Sequence, residues 1–207
     1  MKYSTILALL MASAALAPIQ ASAQASASPP KTFTFQLTKS KGPATTCPFT
    51  PSGQVTDHTV GEFENLEVVV HDLPANTDFD LFSIQVPNAP FGLAWYVGDI
   101  LTDATGTGVG NFVGRFNVET FIVSQAALLS PDIFKSPPAF LAQSKTGAKV
   151  DPVQIYHLGL WFNDANDAVK AGCPGNHTPF NGEHNAGIQI LNTGTFPDNQ
   201  GPLFNLK

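Results

Sequence analysis

The most evident shortage in this sequence is of charge. Asp, Glu, Lys and Arg make up only 13% of its 207 residues, whereas an average soluble domain has about 25%. Acidic residues outnumber basic residues by 16 to 10, which disfavours nucleic-acid binding, because contact with phosphates requires a basic face. The chain is nevertheless 43% hydrophobic, enough to exclude a wholly disordered protein and to build a core.

Catalytic and cofactor motifs are also missing. The chain has no Gly-x-Ser-x-Gly nucleophile elbow, no phosphate-binding loop and no dinucleotide fingerprint. A serine–histidine–acid triad stays open, because its members can come from any part of a chain. These absences favour a non-catalytic protein that needs no cofactor.

The first 23 residues have the organisation of a secretory signal peptide. Lys2 supplies the positive start, residues 6–17 form a nearly unbroken apolar run, and Ala21-Ser22-Ala23 provides the small residues that signal peptidase accepts. Cleavage is predicted after Ala23, with Ala27 as the second choice. A membrane anchor is the alternative, but it needs roughly 20 apolar residues. No later stretch reaches that length, so we expect a secreted or periplasmic protein without a transmembrane segment after cleavage.

Cysteine is scarce, with Cys47 and Cys173 the only two. In an oxidising compartment, two cysteines without a third are best interpreted as one disulfide. A free or metal-bound thiolate pair is the alternative. The disulfide would link the first ordered segment to the last third of the chain.

The mature chain has the pattern of an all-β protein. Residues 24–31 lack apolar periodicity and predict a flexible lead-in, and residues 32–207 are predicted to form a single domain. Short aromatic and β-branched runs between Gly/Pro turns predict about eight strands in an antiparallel β-sandwich or a closed sheet. The clearest runs are 32–38, 66–70, 79–86, 93–101, 108–116, 153–162 and 186–191. We expect 93–101 and 108–116 to pair as a hairpin around the turn at 103–106.

Two segments have helical patterns. Residues 124–147 contain Ala-Ala-Leu-Leu and Pro-Pro-Ala-Phe-Leu stretches, which predict short helical turns crossing one end of the sandwich. Residues 163–172 begin with Asn-Asp and carry Lys170 near the end and Gly172 just beyond, the signature of a short helix.

The start of that second segment also offers oxygen ligands of the kind that Ca²⁺ prefers, from Asn163, Asp164, Asn166 and Asp167. Their order is not that of an EF-hand loop, which has acids at alternate positions, a glycine and a closing glutamate. Helix capping by Asn163 or Asp164, with Asp167 in the first turn, explains these residues better.

One part of the sequence resembles exported bacterial β-sandwich proteins. The stretch Leu73-Pro74-Ala75-Asn76-Thr77 is similar to their corner before a strand, and Thr102-Asp103-Ala104-Thr105-Gly106-Thr107-Gly108 is similar to the turn of a hairpin in them. The resemblance covers about 50 residues. It implies an exported β-sandwich and brings no catalytic residue with it, because modules of this type have unrelated roles.

The segment after Cys173 is the best candidate for chemistry. It holds His177, Glu183 and His184 within eight residues of a Gly/Pro-rich loop, and His157 on the preceding strand could add a third imidazole. Imidazole and carboxylate are good ligands for zinc or copper. The spacing matches no standard zinc signature, and exposed or backbone-bonded histidines are the commoner outcome on a rim.

Acidic and aromatic residues give two weaker signals. Between Asp57 and Glu119 there are ten acids and one base, Arg115, a pattern typical of a solvated strand face, although such a face could attract cations or basic partners. Four aromatic residues near loops or strand ends would form a platform for a carbohydrate if they were exposed together. They are Phe91, Tyr96, Phe180 and Phe196.

The sequence thus predicts an exported, non-catalytic binding or surface-associated module for a ligand or surface partner that it does not identify. A metal-binding protein or metal-dependent enzyme, using zinc or copper at His177, Glu183 and His184 with His157, is the alternative hypothesis.

Overall fold

The structure is a computed structural model that describes residues 31–61, 63–116, 120–121, 153–178 and 185–206. The predicted signal peptide at 1–23, the lead-in except Lys31, and the predicted helical insert at 124–147 lie outside the described residues. The described part has no helix that is both long and apolar enough to cross a membrane.

Ten strands and one α-helix are described. The strands are β1 (Lys31–Lys39), β2 (Ser52–Val60), β3 (Phe63–His71), β4 (Asp78–Ile84), β5 (Ala94–Leu101), β6 (Gly108–Gly114), β7 (Thr120–Phe121), β8 (Val153–Gln154), β9 (His157–Phe162) and β10 (Gln189–Asn192). The helix is α1 (Ala165–Lys170), and single 3₁₀ turns span Pro43–Thr46 and Pro202–Asn205. The predicted short helix within 163–172 is confirmed.

Eight of the strands form one antiparallel sheet in the order β5-β4-β9-β10-β1-β2-β3-β6, and β7 and β8 pair separately. The all-β antiparallel fold is therefore confirmed. The two layers of the predicted sandwich belong to one continuous sheet that is rolled until its edge strands approach each other. At that approach, Gly98 of β5 lies against the ring of Phe112, and Gly108 of β6 lies against Ile100.

The core fills the inside of the rolled sheet. Alternation along β1, β2 and β3 turns every second side chain inward, where burial of apolar area stabilises the fold by about 25 cal/mol per Å². The strands contribute the buried side chains Phe35, Leu37, Val55, Leu66, Val68, Val70, Phe79, Leu81, Ile100, Leu158, Leu160 and Phe162. β9 is buried on both faces, because the loop at residues 85–93 covers its outer face, where Phe91 packs near Trp161.

The predicted hairpin between 93–101 and 108–116 is wrong. β5 pairs with β4 and β6 pairs with β3, so the two strands are opposite edges of the sheet. Among the described residues, backbone pairing across the turn between them is limited to one isolated bridge, Thr102 with Gly108. The turn between β5 and β6 forms hydrogen bonds with another part of the chain, and the two strands pair with different neighbours on either side of it.

That other part is the corner at residues 73–77, and we call the contact between 73–77 and 102–107 the corner interlock. Backbone N–H groups of Leu73 and Asn76 donate to the carbonyl oxygens of Gly106 and Asp103, at 3.2 and 3.1 Å. The buried Thr102 hydroxyl donates to Pro74 O at 2.6 Å and accepts from Thr77 N at 2.9 Å. The stretches 73–77 and 102–107 thus bind each other.

Within the turn, the Asp103 carboxylate organises the backbone. Its Oδ1 accepts from the backbone N–H of Thr105 at 2.7 Å and of Thr107 at 3.1 Å. The Thr105 hydroxyl donates to the same oxygen at 2.6 Å. This bond, followed by the two backbone bonds, lowers the pKa of Asp103, because hydrogen bonds to the carboxylate favour its ionised form. Gly106 has φ +79°, and a Cβ there would lie 2.1 Å from Leu73 O, so both the turn and the interlock require glycine.

Candidate functional site

The predicted disulfide between Cys47 and Cys173 is confirmed, with the two Cα atoms 4.5 Å apart. Cys47 ends the 3₁₀ turn Pro43–Thr46, and its N–H donates to Ala44 O. Cys173 follows α1, and its N–H donates to Ala168 O at 2.9 Å. The bond therefore fixes the loop after β1 against the loop after α1, although they are 126 residues apart in sequence.

These two loops form walls of a cavity of about 490 Å³, which we call the loop pocket. Its walls are residues 40–43, residues 88–91 and residues 176–178, and Ile188 and Gln189 at the start of β10 complete the lining. This volume lies within the roughly 300–1,000 Å³ that is typical of small-molecule sites. Three distant parts of the chain thus converge on one concavity.

A buried hydrogen-bond network connects the walls. Ser40 Oγ donates to Gln189 Oε1 at 2.5 Å, and Asn192 Nδ2 donates to the same oxygen at 2.9 Å. Asn192 Nδ2 also donates to Pro87 O at 2.7 Å, which links the network to the 85–93 loop. These hydrogen bonds join the residue after β1, the start of β10 and the 85–93 loop, so they hold the walls of the pocket together.

The same network fixes the orientation of the Gln189 amide. Because Oε1 accepts from two donors, the opposite end of the amide is the NH₂ group. Gln189 is 6% exposed, and its Nε2 has no hydrogen-bond partner among the described residues. This nitrogen is itself buried and lies beside Gly159 of β9, so it is an interior group and is not presented to the loop pocket.

Lys41 is the one Lys or Arg of the described lining of the loop pocket, and it is exposed. His177 also lines the pocket and is exposed, and the described lining contains no Asp or Glu. The whole chain carries a formal net charge of −6, so Lys41 is a basic group in a cavity of an acidic protein.

Its remaining lining combines amides with apolar groups. Asn88 and Asn176 line it from different walls, and Pro43, Phe91 and Ile188 provide apolar surface. The Phe91 ring is held edge-to-face against Trp161 with centroids 5.1 Å apart. Mostly apolar walls with a few polar groups are what orient and select a small ligand.

Two of the four predicted metal ligands, His177 and His157, are among the described residues. His177 lines the loop pocket, whereas Glu183 and His184 lie outside the described residues. No group of three or more His, Cys, Asp or Glu side chains in the described ranges is arranged to hold a metal ion.

His157 is placed elsewhere, in the interior. It is 1% exposed, with Nδ1 2.9 Å from Thr193 Oγ1 and Nε2 3.2 Å from Asp198 O. A carbonyl oxygen can only accept, so Nε2 carries the proton and Nδ1 accepts from the hydroxyl. Burial lowers the pKa of His157, and in this neutral form neither nitrogen has a lone pair free for a metal.

The candidate calcium residues act as helix-terminal groups in the structure. Asp164 is the N-cap of α1 and accepts from Asn166 N at 2.7 Å. Asp167 lies in the first turn and pairs with Lys170 at 2.8 Å, and this contact raises the pKa of Lys170. The capping interpretation is confirmed.

Of the four aromatic residues proposed as a platform, Phe91 and Tyr96 are connected through a chain of contacting aromatic rings. Phe91 contacts Trp161, Trp161 contacts Phe82 at 5.5 Å, and Phe82 contacts Tyr96 at 5.7 Å. Tyr96 is half-exposed, and its hydroxyl donates to Asp99 Oδ1 at 2.6 Å; burial and this carboxylate raise its pKa. Phe196 packs instead against Phe35 of the core, and Phe180 lies outside the described residues.

A second cavity, of about 350 Å³, opens where β5 and β6 diverge. Trp95, Phe112 and Val113 line it, and Arg115 is at its edge. The walls of the loop pocket are joined by the disulfide and by the Ser40–Gln189–Asn192 network. Among the described residues, the walls of this second cavity are not joined by a disulfide or a comparable network. We therefore regard the loop pocket as the candidate functional site.

Sequence reasoning identified His177 and missed Ser40, Gln189 and Asn192. The available signal was the presence of Gln189 and Asn192 in or beside the otherwise apolar run at 186–191, since polar side chains in a buried strand need partners. In comparisons with known proteins, no family model, no curated protein and no solved structure matches this chain. Its function is therefore inferred from its own residues.

Proposed function

We propose that this protein is an exported, non-catalytic binding module, secreted or periplasmic, that holds a small ligand in the loop pocket. The observation that carries this proposal is a cavity of about 490 Å³ whose walls are joined by a disulfide and by a buried hydrogen-bond network. Pre-organised walls lower the ordering cost of binding.

The chemistry of the lining supports binding rather than turnover. General acid–base catalysis uses a positioned side chain that exchanges a proton with the substrate. In the described lining of the loop pocket, the titratable side chains are Lys41 and His177, with no carboxylate beside them to orient the imidazole. Hydrogen bonds and apolar contacts are the interactions that this set provides.

Export is tested by the mass of the protein after expression with its complete leader. A mature form that begins at Gln24, or at Ser28 for the second cleavage choice, is expected in the periplasm or the medium. An uncleaved chain retained with the cytoplasmic fraction would contradict this part of the proposal. The disulfide, which forms in oxidising compartments, supports it.

Binding is tested by filling the pocket. Asn176→Trp places an indole at an exposed position of the lining, and Asn199→Trp makes the same change at an exposed position outside it. A compound that binds the pocket should raise the Tm of the wild-type protein, because ligand binding stabilises the folded state. The same compound should raise the Tm of Asn199→Trp by a similar amount and should raise the Tm of Asn176→Trp much less. Equal shifts in both variants, or turnover of a bound compound, would contradict the proposal.

Metal binding by His177, Glu183 and His184, with zinc or copper, is a second proposal. It is favoured by one observation: Thr178 and Ala186 donate backbone hydrogen bonds to each other, at 2.8 and 3.0 Å. Ala186 follows Glu183 and His184 in the sequence, so the chain is again close to His177 two residues after His184. Metal analysis of protein purified without a histidine tag tests it. Stoichiometric metal that disappears in His177→Ala and His184→Ala supports the second proposal, and metal-free protein with unchanged stability on adding zinc rejects it.

A further inference from the structure

We infer that the ligand of the loop pocket is a small sugar acid, a single sugar ring that bears one carboxylate. This inference rests on the proposed function and specifies its ligand. It draws on three properties of the lining: one positive charge, a pair of amide side chains, and an apolar patch.

The charge selects a monoanion. Lys41 is the one Lys or Arg of the described lining, and this described lining contains no Asp or Glu. A single ammonium group complements a single carboxylate through a charge-assisted hydrogen bond. A phosphate monoester carries about −1.5 to −2 charges at neutral pH, so it would keep uncompensated charge on a protein of formal net charge −6.

The amides select hydroxyl groups. Asn88 and Asn176 line the pocket, and the Asn88 oxygen also accepts from Asn192 Nδ2 at 3.4 Å. An amide side chain has two donor hydrogens and an acceptor oxygen, and sugar hydroxyls likewise donate and accept. A purely apolar acid would leave these amides unpaired on binding, which weakens its affinity relative to a hydroxylated acid.

The apolar patch selects a ring face. Pro43, Phe91 and Ile188 line the pocket together, and Phe91 is fixed by its edge-to-face contact with Trp161. The C–H face of a sugar ring is apolar, so it can pack there while its hydroxyl edge meets the amides. A cavity of about 490 Å³ accommodates one such ring with ordered water, which commonly bridges polar contacts.

The experiment is an NMR titration of the full mature protein with three probes. D-glucuronate has the carboxylate and the hydroxyls, D-glucose has only the hydroxyls, and cyclohexanecarboxylate has only the carboxylate. D-glucuronate is expected to bind at least about tenfold more tightly than either of the others, because each lacks one of the two recognised features. Shifted resonances should include those of Lys41, Asn176 and Gln189.

Matched lysine variants separate the charge from the fold. Lys41→Met should weaken D-glucuronate binding about tenfold and leave D-glucose binding unchanged, whereas Lys31→Met removes an exposed lysine that does not line the pocket and should change neither. Equal binding of D-glucuronate and D-glucose, or equal binding of D-glucuronate and cyclohexanecarboxylate, overturns the inference.

The failure of this inference is distinguishable from the failure of the proposed function. If other compounds bind and lose binding in Asn176→Trp while D-glucuronate does not bind, the pocket is a binding site and the sugar-acid inference is wrong. If no compound responds to Asn176→Trp, the proposed function fails together with the inference.

Discussion

Replacing Gly106 by alanine tests the corner interlock, because this glycine has both a special backbone conformation and a close contact. It has φ +79°, and an added Cβ would lie 2.1 Å from Leu73 O. Gly61 provides a matched control, since it has φ +65° and nothing within 4 Å of the same added atom. The two substitutions share the conformational cost and differ in the contact.

The difference in stability can be worked out from these contacts. A left-handed conformation costs an L-residue roughly 1–2 kcal/mol, and Gly61→Ala should lose about this much. In Gly106→Ala the backbone must also move away from Leu73. This movement breaks the hydrogen bonds from Leu73 N to Gly106 O and from Asn76 N to Asp103 O, each of which contributes about 1 kcal/mol to stability. Gly106→Ala should therefore lose about 3–4 kcal/mol in the free energy of unfolding.

Equilibrium urea unfolding, followed by the fluorescence of Trp95 and Trp161, measures both variants. For a slope of about 2 kcal/mol per M, the midpoint of Gly106→Ala should lie about 1 M below that of Gly61→Ala. Equal midpoints would refute the reasoning, because they would show that the interlock moves at no cost. A lower midpoint for Gly61→Ala would refute it as well.

Two further predictions concern the disulfide and a buried carboxyl group. The Cys47–Cys173 bond joins cysteines that are 126 residues apart, and Cys47→Ala/Cys173→Ala removes it. The free energy of unfolding should fall by about 4–5 kcal/mol in the chain-entropy model, and a loss below about 1 kcal/mol in urea unfolding would contradict that model. As a control, reductant should lower the stability of the wild type and leave that of the variant unchanged. Burial raises the pKa of Asp57 above its ordinary 3.8, so the folded protein binds this proton more tightly than the unfolded chain and loses stability as the pH rises through the window above 3.8. Asp57→Asn should therefore be more favourable to stability near pH ~7 than near pH ~3, and a reversed trend in urea midpoints would refute this sign.

Alternation along the chain predicted which side chains face the core, and it did not predict strand neighbours. β3 and β4 were visible because Leu66, Val68 and Val70, or Phe79 and Leu81, alternate with other side chains. β2 was not identified, since its inward positions are Gly53, Val55 and Asp57, of which only one is a large apolar residue. The period of a strand specifies a face and leaves the partner open.

The hairpin error has the same origin. A short turn between two strands usually joins neighbouring strands of a sheet. Here Gly106 and Thr102 form hydrogen bonds with the 73–77 corner, so the turn connects two edge strands, β5 and β6, that do not pair with each other as a hairpin. Contacts over this distance in sequence leave no local pattern. The loop pocket was hidden for a similar reason, because its walls at 40–43, 88–91 and 176–178 meet only after folding.

The position of β1 in the sheet constrains the order in which the protein can be completed. β1 lies between β2 and β10, and Thr38 pairs with both Ser52 and Asn192. During synthesis, β1 and β2 can meet early, but one side of β1 stays open until residue 192 has emerged. A nearly full-length chain must therefore remain incompletely folded, which is the condition in which a polypeptide can still be threaded through a narrow translocation channel.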